Sequence, residues 1–288
     1  MARAMDRAVE IAPAGMPPGL PPVLRAFVAD HGEPIRWART NEARPWVVIT
    51  AEHVGYLAYD EPSRSRLQRE LARTRWAEAA GVPIPEIVSA SEHEIVTRRV
   101  PADPPAGTAY VKAAVAAADQ IHEAPAPRLP AHSGVRRSPR RTLPLRLARL
   151  VAGRVDLREF VAVRRAASSL TKDELSHGDF HPNNVLFDRE GEQVHVIDWS
   201  YLGFQPRHTD LIEMWTQLRD DRSRRLLLDA LLERDPDHTR LAVLLGWLAV
   251  RSLVEVLTDD PVRAWDRDKV RHARKVVAES RAFEKEVA

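Results

Sequence analysis

Between Leu175 and Trp199 the chain reads LSHGDFHPNNVLFDREGEQVHVIDW, a stretch that gathers three oxygen-bearing side chains, Asp179, Asn184 and Asp198, with His177 just ahead of them. Val185-Leu186-Phe187 and Val194 to Ile197 are short apolar runs, alternating or β-branched, on either side of the turn Arg189-Glu190-Gly191-Glu192. That pattern predicts two strands joined by a Gly-containing turn. Such a hairpin sets Asn184 and Asp198 at neighbouring strand ends and leaves Asp179 on the loop before the first strand. Oxygen ligands converging in this way suit a hard cation such as Mg²⁺ that holds phosphate oxygens. The chemistry offered by these residue types at this spacing is therefore phosphoryl transfer.

The arrangement resembles the kinase catalytic loop and its metal-binding Asp, in which one Asp accepts the substrate hydroxyl proton while an Asn and a second Asp hold Mg²⁺. HGD stands where protein kinases have HRD, and IDW where they have DFG. These are the forms seen in the aminoglycoside phosphotransferase and choline kinase group, and Gly203, Pro206 and Asp210-Leu211 match that family's pattern over a motif core of about residues 175 to 211. The resemblance implies an α+β, two-lobed protein-kinase-like fold. Its N-lobe would be a small antiparallel sheet with one helix (residues 21–100, the nucleotide side), preceded by a loose leader (1–20). Its larger, mainly helical C-lobe (101–288) would carry the catalytic β-hairpin, the metal site and the acceptor side.

By the same resemblance, Asp179 orients the acceptor hydroxyl and takes its proton, and His177 braces the loop. Asn184 and Asp198 hold Mg²⁺ against the β- and γ-phosphates of ATP or GTP. Glu70 is the helix carboxylate that pairs with a strand-3 Lys, and the hinge Thr97 to Val100, with Arg98, Arg99 and Val100, binds adenine through its backbone. The implied activity is O-phosphorylation of a small hydroxylated metabolite or antibiotic. The implied partners are that small molecule and the nucleotide, with no nucleic acid and no membrane.

Several elements must position these residues. Pro22 to Val28 reads as a helix stopped by Gly32. Glu33 to Thr40, Trp46 to Thr50 and His53 to Tyr59 read as a meander of strands. A helix opens at Pro62-Ser63 and stops at Gly81, with a short apolar stripe at Leu67 and Leu71. Gly81-Val82-Pro83-Ile84-Pro85 then leads into strands Glu86 to Ser89 and Glu94 to Val100. Beyond the connection Pro101 to Gly107, Tyr110 to His122 is helical, and Glu123 to Pro144 is a Pro- and Arg-rich loop. Helices over Leu145 to Val155 and Leu157 to Leu170 feed the motif. Further helices follow at Leu211 to Leu218, Ser223 to Leu232, His238 to Leu257 and Val262 to Glu286. Tyr201, Glu213, Trp215, Asp220 and Asp221 are available on the acceptor side, whereas Trp215, Trp247 and Trp265 at helical spacing also read as core.

Two departures from the family pattern stand out. The strand HVGYLAY places Ala58 or Tyr59 where the phosphate-binding ammonium is expected, and no Lys precedes Lys112. The turn Arg39-Thr40-Asn41-Glu42-Ala43-Arg44-Pro45 has no glycine to let the backbone wrap phosphates closely. Arg36, Arg39 or Arg44 is left to supply the charge, although a guanidinium fork is not geometrically equivalent to Lys. Two readings follow. A phosphotransferase is favoured by the intact Asp179, Asn184 and Asp198, and a catalytically weak kinase-like binding module by the missing Lys.

Composition narrows the rest. The chain has 288 residues, 44% hydrophobic and 29% charged, which suits an ordinary globular protein. With no cysteine, disulfides, thiolate metal sites and a cysteine nucleophile are excluded. A net charge of +2 gives no case for a nucleic-acid partner. No signal-peptide pattern is evident at the start and no apolar run of membrane-span length is read, so the expected compartment is the cytoplasm.

Overall fold

Alternating apolar residues in the first part of the chain build five short strands: β1 (Arg36–Ala38), β2 (Trp46–Ile49), β3 (His53–Leu57), β4 (Ile87–Ala90) and β5 (Glu94–Arg98). They form one antiparallel sheet in the order β1-β2-β3-β5-β4. The computed structural model describes residues 21–38, 45–126, 149–188, 190–258 and 266–287. The leader 1–20, Arg39 and Arg44 of the first turn, most of the Pro- and Arg-rich loop, residues 145–148 and Trp265 lie outside them.

The two faces of β3 go to different helices. Helix α1 (Pro22–His31) starts with Pro at its first turn, where a missing N–H costs nothing. It packs Leu24 and Phe27 with Trp37, Trp46, Val48, Leu57 and Val96. Gly55 lies under Phe27, and a Cβ there would come within 2.4 Å of the ring, so this strand position needs glycine. The opposite face of β3 presents Tyr56 and Ala58 to Leu67 and Leu71 of helix α2 (Glu61–Ala79), together with Ile95. Helix α2 begins in a capping box in which Asp60 accepts from the Ser63 N–H and Ser63 reaches back. The Ser63 hydroxyl takes the N–H groups of Tyr59 and Asp60. These donors leave the sheet, which is why β3 ends at Leu57, two residues before the end its sequence predicts.

The described residues fall into two compact units. The first takes residues up to Pro105, from Lys112 to the end of helix α3 (Gly107–Glu123) and just beyond, and Pro182–Leu202. The second takes Ala106–Val111, the part ending at His181, and the chain from Gly203 onward. In the second unit β6 (Glu174–Ser176) pairs antiparallel with β9 (Gly203–Gln205), an association with no local sequence signal. In the first, β7 (Val185–Asp188) and β8 (Gln193–Val196) form the predicted hairpin. It is held there from both sides, since the Val196 N–H donates to the Pro83 carbonyl at 2.8 Å and the Asp103 N–H to the Phe187 carbonyl at 2.9 Å.

The second unit is helical: α4 (Leu157–Ser168), α5 (Thr209–Gln217), α6 (Asp221–Arg234), α7 (His238–Thr258) and α8 (Arg267–Val287). Leu241, Leu244, Leu245, Leu248 and Leu257 of α7, with Val270, Ala273 and Val276 of α8, make its core. By length and composition α7 could cross a membrane, which corrects the expectation that no apolar run approaches that length. Its apolar surface is largely covered within its own unit.

Candidate active site

The loop that carries Asp179 is anchored in the second unit by Asp210. This carboxylate is fully buried in the first turn of α5, where the helix N-terminus favours negative charge. It accepts the His177 N–H at 2.7 Å and the Gly178 N–H at 3.0 Å, two charge-assisted bonds that fix the backbone ahead of Asp179. Gly178 has φ +77°, a conformation a side chain would strain, so the glycine of HGD is there for its backbone. The β6–β9 pair aims the chain into this loop, with Ser176 opposite Gly203.

His177 is fully buried and its Nδ1 accepts the Asp179 N–H at 3.3 Å. Its ring meets Phe180 edge-on at 6.0 Å. The Asp179 side chain keeps 16% exposure, with His181 Nε2 at 3.7 Å from its carboxylate. It is more accessible than His177 or His181.

In the first unit the hairpin register sets Val185 against Val196, and the Ile197 N–H donates to the Asn184 carbonyl at 2.9 Å. Asn184 and Asp198 thus stand at adjoining strand ends, as the spacing predicts. Asp198 adopts φ +61° at the start of a 3₁₀ turn, Trp199–Tyr201; a non-glycine residue held there marks a local constraint of the kind found at functional sites. An amide oxygen and a carboxylate are hard donors that suit Mg²⁺, which takes few protein ligands and fills its other positions with water and phosphate. The donor chemistry fits the implied ion.

Glu70 is placed differently from its expected role. Its two oxygens take the Trp199 N–H at 2.6 Å and the Ser200 hydroxyl at 2.9 Å. One turn along α2, Arg73 donates to the Ser200 carbonyl at 2.7 Å, and Trp76 meets Trp199 edge-on at 6.0 Å. Burial, then the neighbouring Asp198 carboxylate, push the Glu70 carboxyl up to about 7, against the pull of Ser200, Trp199 and Arg73.

The strand position facing these acids is Tyr56. Neither of the two positions expected for a cation lies there: Ala58 is packed with Leu67 and Leu71, and Tyr59 packs against the cluster of Leu24 and Phe27. Burial first, then Asp198 and Glu70, raise the Tyr56 phenol above its usual range, so it stays protonated. Of the three candidate cations, Arg36 lies on the edge strand β1 opposite Ile49. At the hinge, the N–H groups of Arg98 and Arg99 donate to the Glu86 and Glu52 carbonyls at 2.8 and 2.7 Å. The Arg98 side chain pairs with Glu86, and Arg99 reaches the Ala51 carbonyl. The Val100 carbonyl accepts from Ala102.

Among the residues available for an acceptor, Trp215 is core, Asp220 caps α6 through Ser223, and Asp221 pairs with Arg224. Glu213 is buried and binds Arg251 of α7 at 3.3 Å, while Glu255 holds the same guanidinium at 3.1 Å. Glu213 first, then Glu255, with Asp179 also contributing, raise the Arg251 pKa and outweigh the opposing desolvation. Sequence reasoning missed Tyr56, Arg73 and Arg251. Only the i, i+3 spacing of Glu70 and Arg73 on one helix gave a local hint.

A scan of family models matches residues 25–244 to the phosphotransferase enzyme family. The chain belongs to that family. No curated protein matches it in sequence. Among solved structures it is similar to a choline/ethanolamine kinase family protein from Mesorhizobium loti, with TM-score 0.56 and 18% identity over 90% of this chain and 93% of that one. Another is a spectinomycin phosphotransferase, APH(9)-Ia, solved with ADP and spectinomycin: TM-score 0.57, 14% identity, 93% of this chain and 99% of that one. A third is a thermostable mutant of aminoglycoside phosphotransferase APH(4)-Ia, solved with ADP and hygromycin B: TM-score 0.55, 15% identity, 91% and 97%. At such identities the likeness establishes the kinase-like α+β fold.

Proposed function

We propose that the chain is a Mg²⁺-dependent phosphotransferase that moves the γ-phosphoryl group of ATP or GTP to a hydroxyl of a small molecule, a metabolite or an antibiotic. Family membership supports the class, and the observation that carries the reading is the hairpin register that sets Asn184 beside Asp198. The acceptor oxygen bonds to the γ-phosphorus, the bond from that phosphorus to the bridging oxygen breaks, and the acceptor proton passes to Asp179. His177 and Asp210 hold the loop so that the Asp179 carboxylate meets the hydroxyl, a task that needs geometry more than a raised pKa. Asn184 and Asp198 hold Mg²⁺, which when bound neutralises charge on the β- and γ-phosphates. Residues 21–100 form the nucleotide side, with the hinge at Thr97 to Val100, and 101–288 the catalytic and acceptor side. The nucleotide requirement makes the cytoplasm the working compartment.

Solved relatives are described with ADP, spectinomycin and hygromycin B, so hydroxylated amines and aminocyclitols are the first acceptors to try. The test is nucleoside diphosphate release from Mg-ATP or Mg-GTP across such a panel, with phosphorylated product confirmed by mass. Release no faster than that of Asp179→Asn with every acceptor would sink the enzyme reading in favour of a binding module.

A further inference from the structure

Every oxygen of Glu70 is engaged by the turn that follows Asp198. Oε1 takes the Trp199 N–H and Oε2 the Ser200 hydroxyl, and Arg73 completes the grip on the Ser200 carbonyl from the same helix face. Trp76 packs its ring against Trp199 one turn further on. Three residues of α2 at helical spacing thus hold four groups of two consecutive residues, Trp199 and Ser200, in a turn that begins with a left-handed Asp198. From the sheet, the strand face opposite Gly55 and Phe27 turns Tyr56 toward α2.

We infer that Glu70 is a positioning residue whose carboxylate clamps the metal-bearing turn, and that Tyr56 occupies the strand position from which a cation would draw that carboxylate away. An ammonium at this place would compete for the lone pairs that Trp199 and Ser200 use. A phenol adds no positive charge, so the clamp is kept without nucleotide and Asp198 is already in place when the metal arrives. The absence of Lys from the strand is then coupled to a new use for its helix partner. It follows that putting Lys back at 56 harms the site.

The inference rests on the phosphotransferase reading only for its nucleotide readout. The full chain is compared with Glu70→Gln, Glu70→Ala, Tyr56→Phe and Tyr56→Lys. Two quantities are measured: amide hydrogen exchange over residues 196–202 in the absence of ligand, and Mg-nucleotide affinity by calorimetry. Gln keeps an oxygen for the Trp199 N–H and can donate to the Ser200 oxygen, so it preserves the clamp; Ala does not. Exchange at Trp199 is expected to rise roughly tenfold or more in Glu70→Ala and Tyr56→Lys, and to change by less than about threefold in Glu70→Gln and Tyr56→Phe. Mg-nucleotide dissociation constants should follow the same order, while nucleotide binding without Mg²⁺ stays level.

Equal protection in Glu70→Ala overturns the clamp. So does a Glu70→Gln variant as unprotected as Glu70→Ala, since charge and not acceptor geometry would then matter. Tighter Mg-nucleotide binding by Tyr56→Lys with Trp199 still protected overturns the role of Tyr56. Should Tyr56→Lys fail to fold, the Glu70 pair still decides the clamp and Tyr56→Phe the phenol. Wild-type protein that binds no Mg-nucleotide removes the phosphotransferase reading, while the exchange data still test the clamp.

Discussion

Asp210 and Glu70 each accept hydrogen bonds from the catalytic stretch, Asp210 from the His177 and Gly178 amides in the second unit and Glu70 from the Trp199 amide and Ser200 hydroxyl in the first. Their surroundings differ. Asp210 stands in the first turn of its helix, where the unpaired N–H groups of the helix end support its charge. Glu70 stands inside a helix beside Asp198, with Arg73 as the cation that offsets it, and its carboxyl is pushed up to about 7 by burial and that neighbour. One end of the motif is therefore anchored by an acid at a helix N-terminus, and the other by an acid inside a helix that stands beside a second carboxylate. The loop of Asp179 is held through two backbone amides, and the turn after Asp198 through one amide and one hydroxyl.

If Asp210 is the stronger anchor, its removal should have the largest effect on the fold. Asp210→Ala takes the acceptor from the buried His177 N–H and the half-buried Gly178 N–H, each worth about 1–3 kcal/mol, so a loss of about 2–6 kcal/mol in urea unfolding is expected. A loss within the roughly 0.5 kcal/mol typical of surface changes would break the comparison. Next in size, Asp179→Asn should leave unfolding and nucleotide affinity near wild type while lowering turnover roughly a hundredfold or more, as for loss of a positioned base. Near-wild-type turnover would take Asp179 out of the mechanism.

Asn184→Ala and Asp198→Ala probe the other end of the motif. Each should weaken Mg-nucleotide binding by roughly tenfold, with little effect on nucleotide alone, because they remove ligands that act through the metal. An unchanged thermal shift on adding Mg-ATP in both variants would remove the metal site.

The smallest effect expected is on pH dependence within the helical unit. Burial first, then Arg219 and Arg224, hold His272 down at about 4, with its Nε2 against the Thr216 carbonyl. The folded pKa lies below the unfolded value of about 6.5, so the unfolded chain takes the proton first. Stability present above that value is lost as pH falls through the folded pKa. His272→Gln should flatten this acid limb, read as the difference between wild-type and variant melting temperatures from pH 7 down to pH 4. Parallel curves would mean that His272 is not buried uncharged.

Local pattern alone revealed the hairpin and the spacing that sets Asn184 beside Asp198, because strand alternation and a Gly-containing turn act over a few residues. Leu67 and Leu71 gave the inward face of α2, and Asp179, Asn184 and Asp198 gave the family, since their spacing along the chain is itself the motif. Only the C-terminal end of β3 was misplaced, because the Ser63 hydroxyl, a capping group of the next helix, took the donors that would have extended the strand.

What Glu70 binds was settled only by the tertiary structure. Its partners lie 129 and 130 positions away in sequence, and a half-buried carboxylate goes to whichever donors the packing brings within reach. The same holds for Asp210, 33 and 32 positions from the amides it accepts. The missing lysine was legible in the sequence. That Tyr56 turns toward α2 depended on which face of β3 packs there, and Phe27 lies against Gly55 on the other face.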